Sequence, residues 1–492
     1  MFVKTFGNLW SRRTMLPVAM LATGMAAAAP LSAQSLAASH PTTTALAAPG
    51  PVAAQQGMNA AASAPAPAAV PITLDQAVQI ALQQNGTLRQ AKNNATLGAA
   101  EVQQQQLAFL PDLRASVSTS QNYGGSNNPL AAGGPLSQST QSASAGLSSS
   151  ITLFDGLKNV HQLRGAKLDE QAGSQDLHRA EQTVVYTVAS NYVGLAKQQE
   201  ELRVQQQNLA AQAALEQEIQ ASVNAGTRPI SDLYQQQALV AAARSAEVEA
   251  QNTVELAKVT IMQTLQLDPR GTFDFAAPSI DTTAAADSSL DLDSLITRAL
   301  TLRADLTAQQ SRVGAAQHDV SAASASKWPT VSLTAGYSTA FNSAASASLA
   351  AQLGQRQGAS IGVGVSIPLF DRGATSVASQ QATLAADNAR ITLETQQRQV
   401  GADVRSAYLN YQSAHQQLSA ADAQLKAATQ SVNAAQQRYR VGAGTLVDLT
   451  QARATQVQAE SALVSARYDL VLQRAALAYA VGDLGPGRDP LG

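Results

Sequence analysis

The chain has 492 residues, of which 13% are charged and 4% aromatic, with a formal net charge of −2 and no cysteine. The near-neutral balance excludes a surface built to neutralise phosphates, so nucleic acid is not an expected partner. The missing cysteine excludes disulfides, thiolate metal sites, a cysteine nucleophile and an N-terminal lipid-bearing cysteine.

The N-terminus comes first. Lys4, Arg12 and Arg13 precede a mostly apolar run over 15–29, and "LSA" before Gln34 is a small-residue cleavage pattern. Residues 1–33 therefore read as a secretory signal peptide. The alternative, a membrane anchor, is disfavoured because the run is short for a span. Residues 34–70 are rich in Ala, Pro, Ser and Thr and read as a disordered spacer.

Residues 74–108 carry a helical pattern that ends near Pro111. Two alternating segments follow. Leu113, Ala115 and Val117 alternate with Arg114, Ser116 and Ser118; Leu147, Ile151 and Leu153 alternate with Ser148, Ser150 and Thr152. Period two predicts strands at about 112–120 and 143–154. Residues 156–225 contain no proline and place Val188, Leu195, Leu202 and Leu209 seven apart. This predicts a long helix with coiled-coil packing. "SVNAGTRPISDL" then turns the chain at Gly226, and Leu233, Val240, Val254 and Ile261 continue a helix. The Asp-rich stretch 268–289 reads as an irregular connector.

The same order then repeats. Residues 292–327 read as helix. Strands are predicted at about 330–341 and 359–370, from Val331, Leu333, Ala335 and Tyr337, then Ile361, Val363, Val365, Ile367 and Leu369. Val404, Tyr411, Leu418, Leu425, Val432 and Tyr439 keep a heptad frame through a proline-free run over 373–440. At about 1.5 Å per residue that run spans on the order of 100 Å. "RYRVGAGTLVDL" turns the chain at Gly442, and Leu449, Leu463, Leu470 and Leu477 follow. Pro111 maps to Pro329, Phe154 to Phe370 and Gly226 to Gly442, at offsets of 218, 216 and 216. Collinear matches at nearly one offset indicate a tandem duplication, 72–267 and 290–482, with a tail at 483–492.

The strands have membrane-spanning length, one apolar face and one small or polar face. Phe109, Phe154, Trp328, Phe341 and Phe370 sit at or near strand ends, as interfacial aromatics do. The links within each strand pair read as exposed loops. A soluble sandwich is the alternative reading of the same alternation. Four strands are too few to close, and an open edge in lipid leaves N–H and C=O groups unpaired. The expected fold class is thus an α+β membrane protein. Each chain gives four β-strands to a shared barrel, and long antiparallel coiled-coil helices project into the periplasm with the glycine turns at their far tip.

"SIPLFDRG" at a strand-to-helix passage, "RYRVGAGTLVDLTQAR" at a helical hairpin and "ITLDQAVQIALQQNGTLRQAK" near the start resemble the TolC-like outer membrane efflux proteins, over about 72–482. The resemblance implies a homotrimer, a twelve-stranded barrel, a periplasmic tunnel, and a small equatorial region into which the connector falls. It implies a passive conduit exporting small molecules, with a periplasmic adaptor and an inner-membrane transporter of RND, ABC or MFS type as partners. Polypeptide export by type I secretion is the alternative within the family.

Residue by residue, Ser231 and Asp232 match the family's polar pair after the first turn, Tyr439 the tyrosine that contacts it, and Asp448 a pore-facing acid. These four form the expected periplasmic gate. Asp232 can equally be read as a helix-capping acid; capping is also the alternative for Asp448, where the family match favours pore lining. Gly226, Thr227, Val441, Gly442, Gly444 and Thr445 form the tip turns and the expected adaptor-docking surface. Gly444 stands where some members carry a bracing arginine, and Gln451 where some carry a second acid. Arg228 and Arg440 are the alternative braces. Three copies of Asp448 around one axis would repel, raise one another's pKa and favour cations.

No catalytic constellation is present. His40, His161, His178, His318 and His415 lack metal-ligand spacing, and "GVGVS" from Gly362 is a strand pattern rather than a phosphate loop. No enzyme activity, cofactor or metal is expected. Two other classes compete. A periplasmic adaptor has hairpin helices but no membrane-length strand pairs. A surface coiled-coil adhesin has no duplicated hairpins.

Overall fold

The computed structural model describes residues 71–125, 137–276, 290–343, 345 and 347–485. The expected signal peptide and spacer up to residue 70, most of the first strand-pair loop, residues 277–289 of the connector and the end of the tail lie outside the described residues.

The first half runs α1 (Leu74–Gln84), α2 (Gly86–Leu107), β1 (Arg114–Gly125), β2 (Ser137–Phe154), α3 (Lys158–Asn224) and α4 (Ile230–Leu265). The second runs α5 (Leu292–Leu302), α6 (Ala304–Ala325), β3 (Thr330–Asn342), α7 (Leu349–Gln355), β4 (Gln357–Ser366), α8 (Ala374–Arg440) and α9 (Leu446–Val481). Helix lengths repeat: 11 residues for α1 and α5, 22 for α2 and α6, 67 for α3 and α8, and 36 for α4 and α9. No described helix is long and apolar enough to cross a membrane.

Four features differ from the sequence expectation. The stretch 74–108 is two helices, because the Asn85 side chain accepts from the N–H groups of Thr87 and Leu88 and starts a new helix. The stretch 292–327 breaks likewise at Arg303, which is buried and ion-paired to Asp305 and Asp403. The loop before β4 contains α7. There Gln352 accepts from the Asn342 N–H and donates to the Asn342 and Ala347 carbonyls. Finally, β4 stops at Ser366. Its partner β3 begins at Thr330, and Pro368 has no N–H to extend the ladder.

The sheet is antiparallel in the order β1-β2-β3-β4. Register puts Val117 opposite Ala145, Leu147 opposite Tyr337, Leu333 opposite Val363 and Ala335 opposite Ile361, so the apolar residues share one face. That face is bare: Val117 is 83% and Ile361 82% exposed. The other face is mostly Ser, Thr and Gly, with Arg114 among them, and carries Ser118–Ser144 and Ser120–Ser142 hydroxyl pairs at 2.7 and 2.8 Å. A bulge between Thr152 and Phe154 takes Leu153 out of the expected alternation and sets Phe154 opposite Val331 on the apolar side.

The core lies among the helices. Val404, Tyr411, Val432 and Tyr439 are buried at heptad spacing, with Leu418 and Leu425 half-buried. A second centre surrounds Tyr192, whose hydroxyl reaches the carbonyls of Ile72 (2.6 Å) and Ala276. Burial pushes the Tyr192 hydroxyl pKa up to about 12. Phe275 packs edge-on against the same ring, and Ile72 bridges to Phe275. The first part of the connector is thereby pinned to the start of α1.

Candidate functional site

Both hairpins turn by one chemistry. At the end of α3 the Gly226 N–H donates to Val223 and the Thr227 N–H to Ser222; at the end of α8 the Gly442 N–H donates to Tyr439 and the Ala443 N–H to Arg438. These are paired Schellman caps. They need the left-handed conformation that Gly226 (φ 71°) and Gly442 (φ 76°) supply. Gly444 has a different reason to be glycine. A Cβ there would lie 3.2 Å from the Arg438 Cβ and 3.4 Å from the Tyr439 nitrogen. Thr227, Val441 and Thr445 are exposed beside these turns.

The two hairpins pack on one another through Leu215, Ile219, Leu233, Val432, Tyr439, Leu446 and Leu449. Polar ties surround this core. Arg228 sets its guanidinium 3.6 Å from the centroid of the Tyr439 ring and donates to the Tyr439 carbonyl at 2.7 Å. Arg453 donates to the Ala211 carbonyl at 2.9 Å, and burial pulls its pKa below the ordinary arginine value. Arg440 lies 3.6 Å from Glu218 in an exposed pair, which contributes little. Gln236 is buried and donates to the Gln212 carbonyl and side-chain oxygens at 2.9 and 2.8 Å.

Both arginines weighed as alternative braces are therefore engaged, and Arg228 is the stronger tie. Counting back 216 residues from Gly444 gives Arg228. The arginine absent from the second turn is present at the matching place of the first. Arg453 and the Gln212–Gln236 pair were not legible. Each bonds a residue distant in sequence, and neither breaks the heptad frame in a way that marks it.

The four residues expected at the gate divide. Tyr439 is 2% exposed, and its hydroxyl has no hydrogen-bond partner among the described residues. Burial raises its pKa above the usual tyrosine value, offset in part by Arg228. Asp232 is half-buried in the first turn of α4; its N–H donates to the Pro229 carbonyl (3.2 Å), but its carboxylate makes no hydrogen bond or ion pair among the described residues, and its field also bears on Tyr439. Pro229, the residue before α4, has no N–H to offer it. Ser231 is exposed.

The Asp448 carboxylate is engaged where that of Asp232 is not. Thr445 and Asp448 form a capping box. The Asp448 Oδ2 accepts from the Thr445 N–H (3.1 Å) and hydroxyl (2.8 Å), and the Asp448 N–H donates to the Thr445 Oγ1 (3.2 Å). The Thr445 hydroxyl and N–H hold the Asp448 carboxyl below its ordinary pKa. Within the chain this opposes the rise that repulsion between copies would cause.

Of the aromatics expected at the membrane interfaces, Phe109, Phe154, Trp328 and Phe370 are exposed near the helix-proximal ends of the strands, and Phe341 is half-buried near the opposite end of β3. Among the described residues no group of three or more His, Asp or Glu is placed to hold a metal.

A family model described as outer membrane efflux protein matches residues 77–265 and 295–483, one match per half. The chain is 25% identical over 415 residues to the outer membrane efflux protein BepC of Brucella suis biovar 1, covering 84% of this chain and 86% of BepC. It is 26% identical over 346 residues to the outer membrane protein TolC of Vibrio cholerae serotype O1, covering 69% and 77%. Among solved structures, CusC superposes with a TM-score of 0.73 at 19% identity, covering 84% of this chain and 93% of CusC. The outer-membrane channel OprN superposes at 0.70 and 24%, covering 83% and 89%. These two likenesses bear on the fold.

Proposed function

The chain belongs to the outer membrane efflux protein family, and from that premise we propose that it is the passive exit duct of a tripartite export system, gated at its helical tip. As a family member it resides in the outer membrane, with the helical part in the periplasm. The observation that carries the proposal is the four-stranded sheet. Its apolar face is bare, and its outer strands β1 and β4 each have one neighbour. In lipid the apolar face is solvated, but unpaired edge groups cost several kcal/mol each. The edges are satisfied when β4 of one copy pairs with β1 of the next. Three copies give a closed barrel of twelve strands with a water-filled bore.

The cargo in this reading is a small molecule, delivered through a periplasmic adaptor docked on Gly226, Thr227, Val441, Gly442, Gly444 and Thr445 by an inner-membrane pump. The tip is held shut by the tie between hairpins, with Arg228 on Tyr439 at its centre and Ser231 and Asp232 beside it. Adaptor docking shifts a closed–open equilibrium; the pump supplies the energy. Phe109, Phe154, Trp328, Phe341 and Phe370 mark the two membrane interfaces.

The test is the mass of the detergent-extracted oligomer together with its conductance in a planar bilayer. A trimer of low resting conductance is expected. A stable monomer, or a wide pore open at rest, would refute the gated-trimer reading. Asp448 has its own check: Asp448→Ala weakens block by trivalent cations if the three carboxylates line the pore.

A further inference from the structure

The four strands together contain one charged residue, Arg114. Its parity sets it on the polar face with Ser116 and Ser118, away from the apolar face that meets lipid. Its own acid, Asp112, pairs with one edge of it. Asp112 spends Oδ1 on the Ser150 N–H (2.7 Å) and hydroxyl (2.8 Å), and Oδ2 on the Arg114 Nε (2.7 Å). That leaves both Nη groups of a side chain 79% exposed without a partner among the described residues. Asp112 thus works as a clamp that fixes the guanidinium plane while its terminal fork stays open. Beside the fork lies a recess in which Ser148 and Ser360 offer hydroxyl donors, Ser150 and Thr334 giving theirs to Asp112 and to the Gly362 carbonyl, with no acid besides Asp112. The strand that closes onto β1 in the proposed barrel, β4, has no charged residue either.

We infer that Arg114 and this hydroxyl recess form an anion-recognition site on the lumen wall, taking carboxylate, sulfonate or phosphate groups of solutes in transit. A guanidinium fork binds such groups through two parallel hydrogen bonds. Three copies set three such forks around a wall whose strands carry no other charge, each beside its paired Asp112. The inference rests on the closed-trimer reading above, because only closure turns the polar face inward.

The experiment uses the full-length protein in planar bilayers of zwitterionic phosphatidylcholine, which has no net anionic headgroup to compete. Reversal potential in a KCl gradient and block by added pyrophosphate are read for the wild type, Arg114→Gln and Arg114→Lys. The wild type is expected to be blocked. Arg114→Gln leaves Asp112 unpaired, so its reversal potential shifts toward cations relative to the wild type, and it needs roughly tenfold more pyrophosphate, about the weight of one hydrogen bond to a charged group. Arg114→Lys keeps the wild-type reversal potential but loses part of the block, because a point charge lacks the fork. Unchanged selectivity and block in Arg114→Gln, with pores still forming, overturns the site. Absence of any pore from the wild type sinks the barrel reading instead, and the site with it.

Discussion

The guanidinium of Arg228 covers the ring of Tyr439 and hydrogen-bonds its carbonyl, joining residues 211 apart in sequence. One side chain therefore caps the end of α8 and locks the first hairpin against the second. A partly desolvated cation–π contact contributes about 1–2 kcal/mol, and the carbonyl hydrogen bond adds to it. Arg228→Ala is expected to raise resting conductance of the reconstituted protein, with Arg228→Lys intermediate. Tyr439→Phe keeps the ring and the carbonyl and removes a hydroxyl that is buried without a partner, so gate and thermal stability should stay near wild type. Tyr439→Ala, which empties the site, should cost about 3–5 kcal/mol. A leaky Tyr439→Phe channel would assign the closing role to the hydroxyl.

The capping box gives the second turn a pH dependence. The folded pKa of Asp448 is depressed, so its contribution is present above the unfolded value of about 4 and fades as pH falls through the lower folded value. Hydrogen exchange at the start of α9 should be steady from pH 7 to 5 and quicken relative to a Thr445→Ala control only in stronger acid. Thr445→Ala itself should cost about 1 kcal/mol. An acid-dependent loosening near neutral pH would contradict the assignment.

His161 and His318 meet across the two halves with Nδ1 atoms 3.2 Å apart, so one ring donates and the other must stay neutral. Burial, then His161 and Arg164, lower the His318 pKa, with Asp319 opposing. The folded state therefore resists a proton that the unfolded chain takes up at about 6.5. Stability is full above that value and declines as pH falls below it. The wild type should lose thermal stability between pH 7.5 and 5.5, and His318→Gln should lose less. Equal losses would remove the pair from the account.

Arg303 holds Asp305 at 2.6 Å and Asp403 at 3.1 Å from a site where its own side chain is 8% exposed. Removing it strands two carboxylates in partial burial. Arg303→Ala is expected to cost about 3 kcal/mol, read as a fall in thermal midpoint. Arg303→Ala combined with Asp305→Ala should recover part of the loss.

The halves of this chain were legible because periodicity is local. A period of two in Leu113–Val117 or Val331–Tyr337 can only be a half-apolar strand, and leucines and valines at heptad spacing demand a paired helix. Glycines at matching places showed where both hairpins turn. Interruptions set by one side chain were not legible. Asn85 and Arg303 break helices that composition would have carried through, and α7 forms inside a stretch with no periodic signal.

The sequence by itself determined the duplication, the order and type of the elements, the two-faced sheet and the two turns, since each follows from spacing along one segment. Only the tertiary structure decided which polar residues meet. It placed Arg228 on Tyr439, drew Arg453 to Ala211, tied the Asp448 carboxylate to its own cap while leaving that of Asp232 without a partner among the described residues, and paired Arg114 with Asp112 through Nε alone. Such contacts depend on the relative rotation of helices and the register of strands. Small differences in packing free energy summed over whole surfaces set these, and no local pattern encodes them.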